Sequence, residues 1–206
     1  MIKSMNITYE VGSGLYINVT NRCTNACEFC IRNNADGAYG SDSLWLEHEP
    51  SVEEIVTSVL SRDLSKYSEI VFCGYGEPSL RLEDVRSVVN EVKKQYPNIP
   101  VRINTNGHSD LIFGRNTAPD YEGVFDTVSI SLNAPTEDKY RQICHPVYDN
   151  GVLESIITFA KNVNKYVQNT LFTVVRDFIT DRELKECERH CAELSKPLKV
   201  RDYIAD

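Results

Sequence analysis

Apolar and polar positions change their period several times along this chain, and each change marks an element. From Met5 to Val11 the two kinds alternate, Gly12-Ser13-Gly14 interrupts, and Leu15, Ile17 and Val19 resume the alternation. Period two on both sides of a glycine-bearing break predicts a β-hairpin over residues 1–20. Residues 33–49 are polar, glycine-bearing and without period, which reads as a long loop of the functional or mobile kind. Beyond it the period becomes helical. Ser51 and Glu54 have capping-box spacing, and Val52, Ile55, Val56, Val59 and Leu60 follow at three- and four-residue intervals. Residues 69–74 form a short apolar run, a buried strand. Leu82, Val85, Val88, Val89, Val92 and Tyr96 make a second helical stripe that Pro97 stops. Strands are predicted over 101–107, 127–133, 171–175 and 198–204. Helices are predicted after Thr136, over 152–163 and after the Thr180/Glu183 cap, with a short helix and a loop in 108–125.

Six strands alternating with helices after a hairpin indicate parallel βαβ units with right-handed crossovers. Six units fall short of an eight-fold barrel, so the expected fold is α/β, an open partial (β/α)6 barrel. Function in such barrels sits at the C-terminal ends of the strands. No repeat, low-complexity tract or linker divides the chain. A single domain over 1–206 is expected: hairpin 1–20, a cysteine loop 21–32, a lid-like loop 33–49, and βα units 51–206.

Composition narrows the function classes. The chain of 206 residues is 41% hydrophobic and 25% charged, ordinary for a globular domain. No apolar run approaches 18 residues, so no membrane span is expected. A net charge of −8 disfavours a broad nucleic-acid face. Residues 1–20 lack a basic start followed by an apolar stretch, and the seven cysteines are odd in number. A reducing cytoplasm is the expected compartment.

The chemistry is concentrated in CTNACEFC, residues 23–30, which has C-x3-C-x2-C spacing at Cys23, Cys27 and Cys30. Three thiolates can hold three irons of a cubane [4Fe–4S] cluster, whereas the usual complement is four. A trio with no obvious fourth leaves one iron open. Zinc in a structural site wants four closed ligands, and disulfide frameworks belong to small secreted chains.

This spacing, with Phe29 just before the last cysteine, resembles the radical S-adenosylmethionine (radical SAM) superfamily. The resemblance implies Cys23, Cys27 and Cys30 as the cluster ligands, with SAM chelated to the open iron and reductively cleaved to a 5′-deoxyadenosyl radical. It further implies SAM contacts at later strand ends. Cys73-Gly74-Tyr75-Gly76-Glu77-Pro78 looks like the family's glycine-rich element, in which Gly74 and Gly76 admit a ligand and Glu77 accepts from the SAM ammonium. Asn104, before Thr105-Asn106-Gly107, would help hold SAM; the other reading of that segment is a hairpin-like Asn-Gly turn. Ser129, Ser131 and Asn133 alternate onto one face, lining either a cavity or solvent, and Ser131 and Asn133 would meet the SAM ribose or carboxylate. Val175 would pack near the adenine. Arg176 binds a carboxylate or is a surface charge at the start of a helix.

The wording FCGYGEP, NTNG, SLNAP and CHP looks like a small stand-alone group described as TatD-associated radical SAM proteins. Cys187 and Cys191, four apart, read as core packing, so no auxiliary-cluster domain is expected. Cys73 reads as packing, Cys144 as packing or a substrate contact, and His48, His108 and His190 as belonging to no constellation. Trp45 and Tyr39 cover a substrate or anchor the surface. The implied partners are a small-molecule or peptide substrate, a ferredoxin- or flavodoxin-type reductant, and a docking protein such as a glycyl-radical enzyme. Competing readings are an iron–sulfur electron carrier and a zinc-stabilised binding module.

Overall fold

In the computed structural model, residues 2–204 are described. Met1, Ala205 and Asp206, the ends of the expected 1–206 span, lie outside the described residues. The glycine-bearing break makes the hairpin. Strands β1 (Thr8–Val11) and β2 (Gly14–Ile17) pair antiparallel, and Gly12 has the positive φ of 58° that the turn requires.

Every later strand adds in parallel. The sheet has seven strands in the order β1-β2-β3-β4-β5-β6-β7, with β3 (Glu69–Phe72), β4 (Val101–Thr105), β5 (Thr127–Ser131), β6 (Asn169–Val175) and β7 (Leu198–Arg201). The connections carry α1 (Val52–Leu60), α2 (Leu82–Gln95), the short α3 (Ser109–Phe113), α4 (Glu137–Cys144), α5 (Val152–Val163) and α6 (Asp181–Glu193). Both capping boxes form. Glu54 N–H donates to Ser51 Oγ at 3.2 Å and Ser51 N–H to Glu54 Oε2 at 2.7 Å; Thr180 and Glu183 repeat the exchange at 3.2 and 2.7 Å. The alternative of a hairpin at Asn106-Gly107 does not hold. β4 and β5 are parallel, and Gly107, at φ 80°, turns the chain from β4 into α3 instead.

The two faces of the sheet differ. Ile70, Phe72, Ile103, Val128, Ile130 and Phe172 pack outward against the apolar stripes of the helices as one large core. Arg102, Asn104, Val175, Lys199 and Arg201 face the other way, into a cavity of 590 Å³ that Tyr9, Val11 and Tyr16 also line. β1 and β7 are the two edge strands, yet both reach this cavity. The sheet therefore curls into an open barrel of six parallel strands, β2 to β7, the first of them shared with the hairpin.

The 33–49 loop is pinned rather than loose. Ala38 and Leu44 bury against Tyr9 and Tyr75 in a second apolar cluster. Asn18 Nδ2 donates to the Leu44 carbonyl at 2.7 Å, and Asn21 exchanges two hydrogen bonds with Leu46, at 2.8 and 3.0 Å.

Candidate functional site

The cysteine loop leaves β2 at the C-terminal edge of the sheet, the end at which barrels build their sites. Its entrance is fixed by charge. Arg22 Nε and Nη2 pair with Glu49 at 2.6 and 3.0 Å, and Arg81 Nη1 donates to the carbonyls of Val19 and Pro50. The Arg22 guanidinium holds the Glu49 carboxyl below its ordinary range.

Its floor is a buried polar network. Thr24 Oγ1 lies 2.8 Å from His108 Nδ1 and accepts from Asn106 Nδ2 at 2.8 Å. His108 Nε2 lies 2.9 Å from the Tyr140 hydroxyl, which also accepts from Asn25 Nδ2 at 2.9 Å. A neutral ring protonated on Nδ1 serves both contacts. His108 thus joins a constellation, contrary to the expectation that it has none; its partners lie 84 and 32 residues away in sequence. The far edge is clipped to α4. Ala26 N–H donates to the Cys144 carbonyl and Glu28 N–H to the Ile143 carbonyl, each at 3.0 Å.

Burial pushes the His108 pKa down from 6.5 to about 4. Between those values the unfolded chain binds a proton that folded His108 refuses. The stabilisation is full above about pH 6.5 and is lost as pH falls toward 4, about 3 kcal/mol in total. Urea unfolding at pH 7 and pH 5 is expected to show wild type losing about 2 kcal/mol from this group, with a flatter profile for His108→Gln. Equal slopes would remove His108 as the cause.

The three thiols are half-buried and feel one another electrostatically. All three thiols are raised: Cys30 by burial, Cys23 by burial to about 12 with a further push from the Glu77 carboxylate, and Cys27 by the neighbouring Cys144 ahead of burial. The opposing influence common to all three is Arg32, which the sequence reading passed over. Its guanidinium also ties the loop to the Tyr75 carbonyl at 3.4 Å. Among the described residues no three Cys, His, Asp or Glu side chains converge as ligands of one metal ion. An all-sulfur trio suits irons at separate corners of a cluster. Two N–H donors already face Cys23 Sγ, Asn25 N–H at 3.4 Å and Asn106 Nδ2 at 3.9 Å, as a thiolate ligand requires. The residues present therefore fit an iron–sulfur cluster.

The expected SAM contacts divide. Phe29, Gly74, Tyr75, Asn104 and Val175 all line the 590 Å³ cavity. Gly76, Glu77, Ser131 and Asn133 lie outside its lining. At both Gly74 and Gly76 the chain itself leaves no room for a side chain. A Cβ on Gly76 would stand 2.3 Å from the Thr20 carbonyl oxygen and 2.5 Å from that of Arg22, and one on Gly74 2.1 Å from Asn18 Oδ1. Glu77 is buried and its carboxylate is occupied, accepting from Thr105 Oγ1 at 2.7 Å, Asn106 N–H at 2.7 Å and Ser79 N–H at 3.0 Å. It binds the second strand-end loop to the third. Burial nevertheless raises its pKa. The Tyr75 ring is buried, packs on Trp45 at 5.1 Å, and donates its hydroxyl to the carbonyls of Ala35 and Gly37.

Ser129 and Ser131 follow the cavity face, in register with Asn104 and Thr173. Asn133 does not continue the alternation. β5 ends at Ser131, and Asn133 takes φ 57°, which turns its amide to Cys144 Sγ at 3.6 Å. Its Oδ1 is buried with no protein partner, an acceptor open to a bound group. Arg176 pairs with Asp181 at the start of α6 and donates to the Ile179 carbonyl, the surface-charge reading. Cys187 and Cys191 are buried in the core. Within the 33–49 loop Trp45 is half-buried against Tyr75, while Tyr39 is 53% exposed.

The Radical SAM superfamily model matches residues 17–191. Among solved structures, Streptococcus suis SuiB bound to S-adenosylmethionine superposes with a TM-score of 0.67 at 17% identity, covering 93% of this chain and 41% of that one. The same protein bound to precursor peptide SuiA gives 0.67, with 39% of that chain covered. A radical SAM methyltransferase from Sphaerobacter thermophilus gives 0.65 at 16% identity, covering 95% of this chain and 68% of that one. At these identities the likeness is one of fold. The chain spans about two fifths of the length of SuiB.

Proposed function

Because the chain belongs to the radical SAM superfamily, whose members use a [4Fe–4S] cluster and SAM, we propose that Cys23, Cys27 and Cys30 hold such a cluster and that SAM binds against its open iron. The chemistry this group supplies when bound is one-electron cleavage of the SAM sulfonium to methionine and a 5′-deoxyadenosyl radical, which takes a hydrogen atom from the substrate.

The chain's own residues bind, orient and exclude water. Phe29, packed on Phe178 with ring centroids 5.1 Å apart and the rings tilted, walls the cavity from the thiol loop. Asn104 from β4 and Val175 from β6 present one polar and one apolar contact to the cavity, and Asn133 Oδ1 and Ser131 supply acceptors beyond them. Tyr75 holds the 33–49 loop over the inner face. No protein acid or base is needed for the first step; holding the target C–H close and dry is. The observation that carries the reading is a half-buried trio of thiols on a rigidly held strand-end loop beside a 590 Å³ barrel cavity.

Substrate and partners are proposed more broadly. A peptide or a small molecule fits a cavity open at the mouth, and SuiB, of the same fold, was crystallised with a peptide. A ferredoxin or flavodoxin would deliver the electron, and a docking protein, such as a glycyl-radical enzyme, would cover the mouth. All seven cysteines are free thiols, which suits the proposed cytoplasmic setting. Among the described residues no helix is long and apolar enough to cross a membrane. The finer resemblance to the TatD-associated group rests on segment wording and names no substrate.

Anaerobic reconstitution tests the proposal. The expected result is a brown protein with about four irons that releases 5′-deoxyadenosine from SAM after dithionite. Zinc without iron would favour the binding module, and a cluster unaffected by SAM would favour the electron carrier.

A further inference from the structure

We propose that the substrate carries an oxyanion, a carboxylate or a phosphate, and that Lys199 and Arg201 on β7 receive it in the barrel cavity. The inference deepens the function proposed above and rests on it.

β7 is the wall of the cavity that the expected SAM contacts leave unused. Those contacts come from the thiol loop and from β3 to β6 with the turns that follow them. Lys199 and Arg201 stand in register with Thr173 and Val175 of β6. Side chains two apart on a strand share a face, so both cations project on the side that Val175 gives to the cavity, and both line it. They are also exposed to solvent, so a ligand reaches them without movement of the chain.

Charge is unbalanced at this wall. The chain as a whole carries a net charge of −8, yet the described lining residues include three cations, Arg102, Lys199 and Arg201, against one acid, Asp202. Arg102 is already neutralised, its Nη2 and Nε donating to the two Glu69 carboxylate oxygens at 2.6 and 3.0 Å. Among the described residues Lys199 and Arg201 pair with no acid. Arg201 Nη2 donates to a neutral group, Thr173 Oγ1, at 3.1 Å, which leaves most of the guanidinium N–H groups for a ligand.

Hydrogen-bond polarity points the same way. Arg102 can only donate, and it does so from Nη1 to Asn104 Oδ1 at 3.1 Å and from Nη2 to the Tyr16 hydroxyl oxygen at 3.2 Å. The oxygens of both side chains are thereby engaged, and the groups left to them are donors, the Asn104 amide N–H and the Tyr16 O–H. Burial raises the Cys73 thiol, and Asn104, Arg201 and Arg102 all oppose the rise, so these donors share one space. Donors beside unneutralised cations suit an oxyanion, and the guanidinium fork matches carboxylate and phosphate alike.

The test is calorimetric titration of citrate and of inorganic phosphate at low ionic strength into cluster-free and reconstituted protein. Wild type is compared with Arg201→Lys, with the double variant Lys199→Met/Arg201→Met, and with Lys161→Met, an exposed cation of α5, as control. Wild type and the control are expected to bind at least one of the anions saturably. The double variant is expected to bind about tenfold or more weakly, the worth of a charged hydrogen bond, and Arg201→Lys, which keeps the charge without the fork, to fall between. SAM is expected to change the EPR spectrum of the reduced cluster alike in wild type and the double variant, with the anion still bound. The absence of saturable binding, or equal affinities in wild type and the double variant, would overturn the inference and leave the function above standing. Displacement of the anion by SAM, or loss of the SAM-induced change in the double variant, would assign the two cations to the SAM carboxylate and overturn it too. A protein that assembles no cluster yet binds the anion through Lys199 and Arg201 would defeat the function above and leave the anion subsite standing.

Discussion

Cys27→Ala protein, reconstituted anaerobically, is expected to lose most of its iron and all SAM-dependent 5′-deoxyadenosine while remaining folded. A cluster held by three thiolates has no spare protein ligand, and removing one leaves two irons without protein. The fold, by contrast, barely depends on this side chain. Cys27 is half-buried, and the loop around it is held by other groups: Asn21 on Leu46, Thr24 on His108, Asn25 on Tyr140, and the backbone pairs to α4. Removing the Sγ is expected to change stability by about 1 kcal/mol, the centre of the range for single substitutions. Iron analysis, the visible spectrum and product chromatography read the first effect; urea unfolding reads the second. Product formation at the wild-type rate in Cys27→Ala would end the assignment of that cysteine.

The second large effect is expected from a residue that touches no cofactor. Gly76→Ala places a methyl 2.3 Å from the Thr20 carbonyl oxygen and 2.5 Å from that of Arg22. Both obstacles are backbone and have no rotamer to escape through. Segment 20–22 is also pinned from outside by Glu49, and Glu77 N–H holds the Arg22 carbonyl at 2.8 Å. The strain, about 1–3 kcal/mol or more for an overpacked site, therefore falls on the residues leading into Cys23. Iron retention is expected to drop about tenfold or more, since 1.4 kcal/mol is a factor of ten.

Gly74→Ala provides the contrast. The three atoms nearest its methyl would all belong to the Asn18 side chain, whose amide can swing away at the expense of its hydrogen bond to Leu44, leaving the Asn18 Cβ at 2.9 Å to be relieved by a small shift. That variant is expected to keep its iron and to expose the 33–49 loop to proteolysis. Equal iron contents in the two variants would show that the close approach at Gly76 does not govern the cysteine loop.

The glycines show where the sequence was legible and where it was not. Two glycines in FCGYGEP signalled a close approach, and the structure contains one at each. On the Cβ side what approaches is the chain itself, Asn18 and the 20–22 backbone, and no local pattern announced those partners. Glu77 repeats the lesson. A carboxylate after a strand reads as an open acceptor, and only the folded chain delivers Thr105 and Asn106 to it. His108 carried no signal at all. A lone histidine acquires its partners Thr24 and Tyr140 through the packing of β4, α3 and α4.

The chain's periodicity determined its elements. Alternation gave the hairpin, three- and four-residue spacing gave α1, α2 and α5, and Ser51/Glu54 and Thr180/Glu183 set two helix starts, because these are interactions between residues close in sequence. Residue chemistry likewise determined the cysteine trio, since three sulfurs within eight residues carry their ligand set with them. Tertiary structure alone decided the surroundings of those sulfurs: Arg32 acting on all three, the end of α4 clipping the backbone on either side of Cys27, and Asn133 turned back to reach Cys144. Such contacts join residues far apart in the chain. Their geometry is set by how helices close against a curled sheet, a cooperative outcome of the whole core that no single segment encodes.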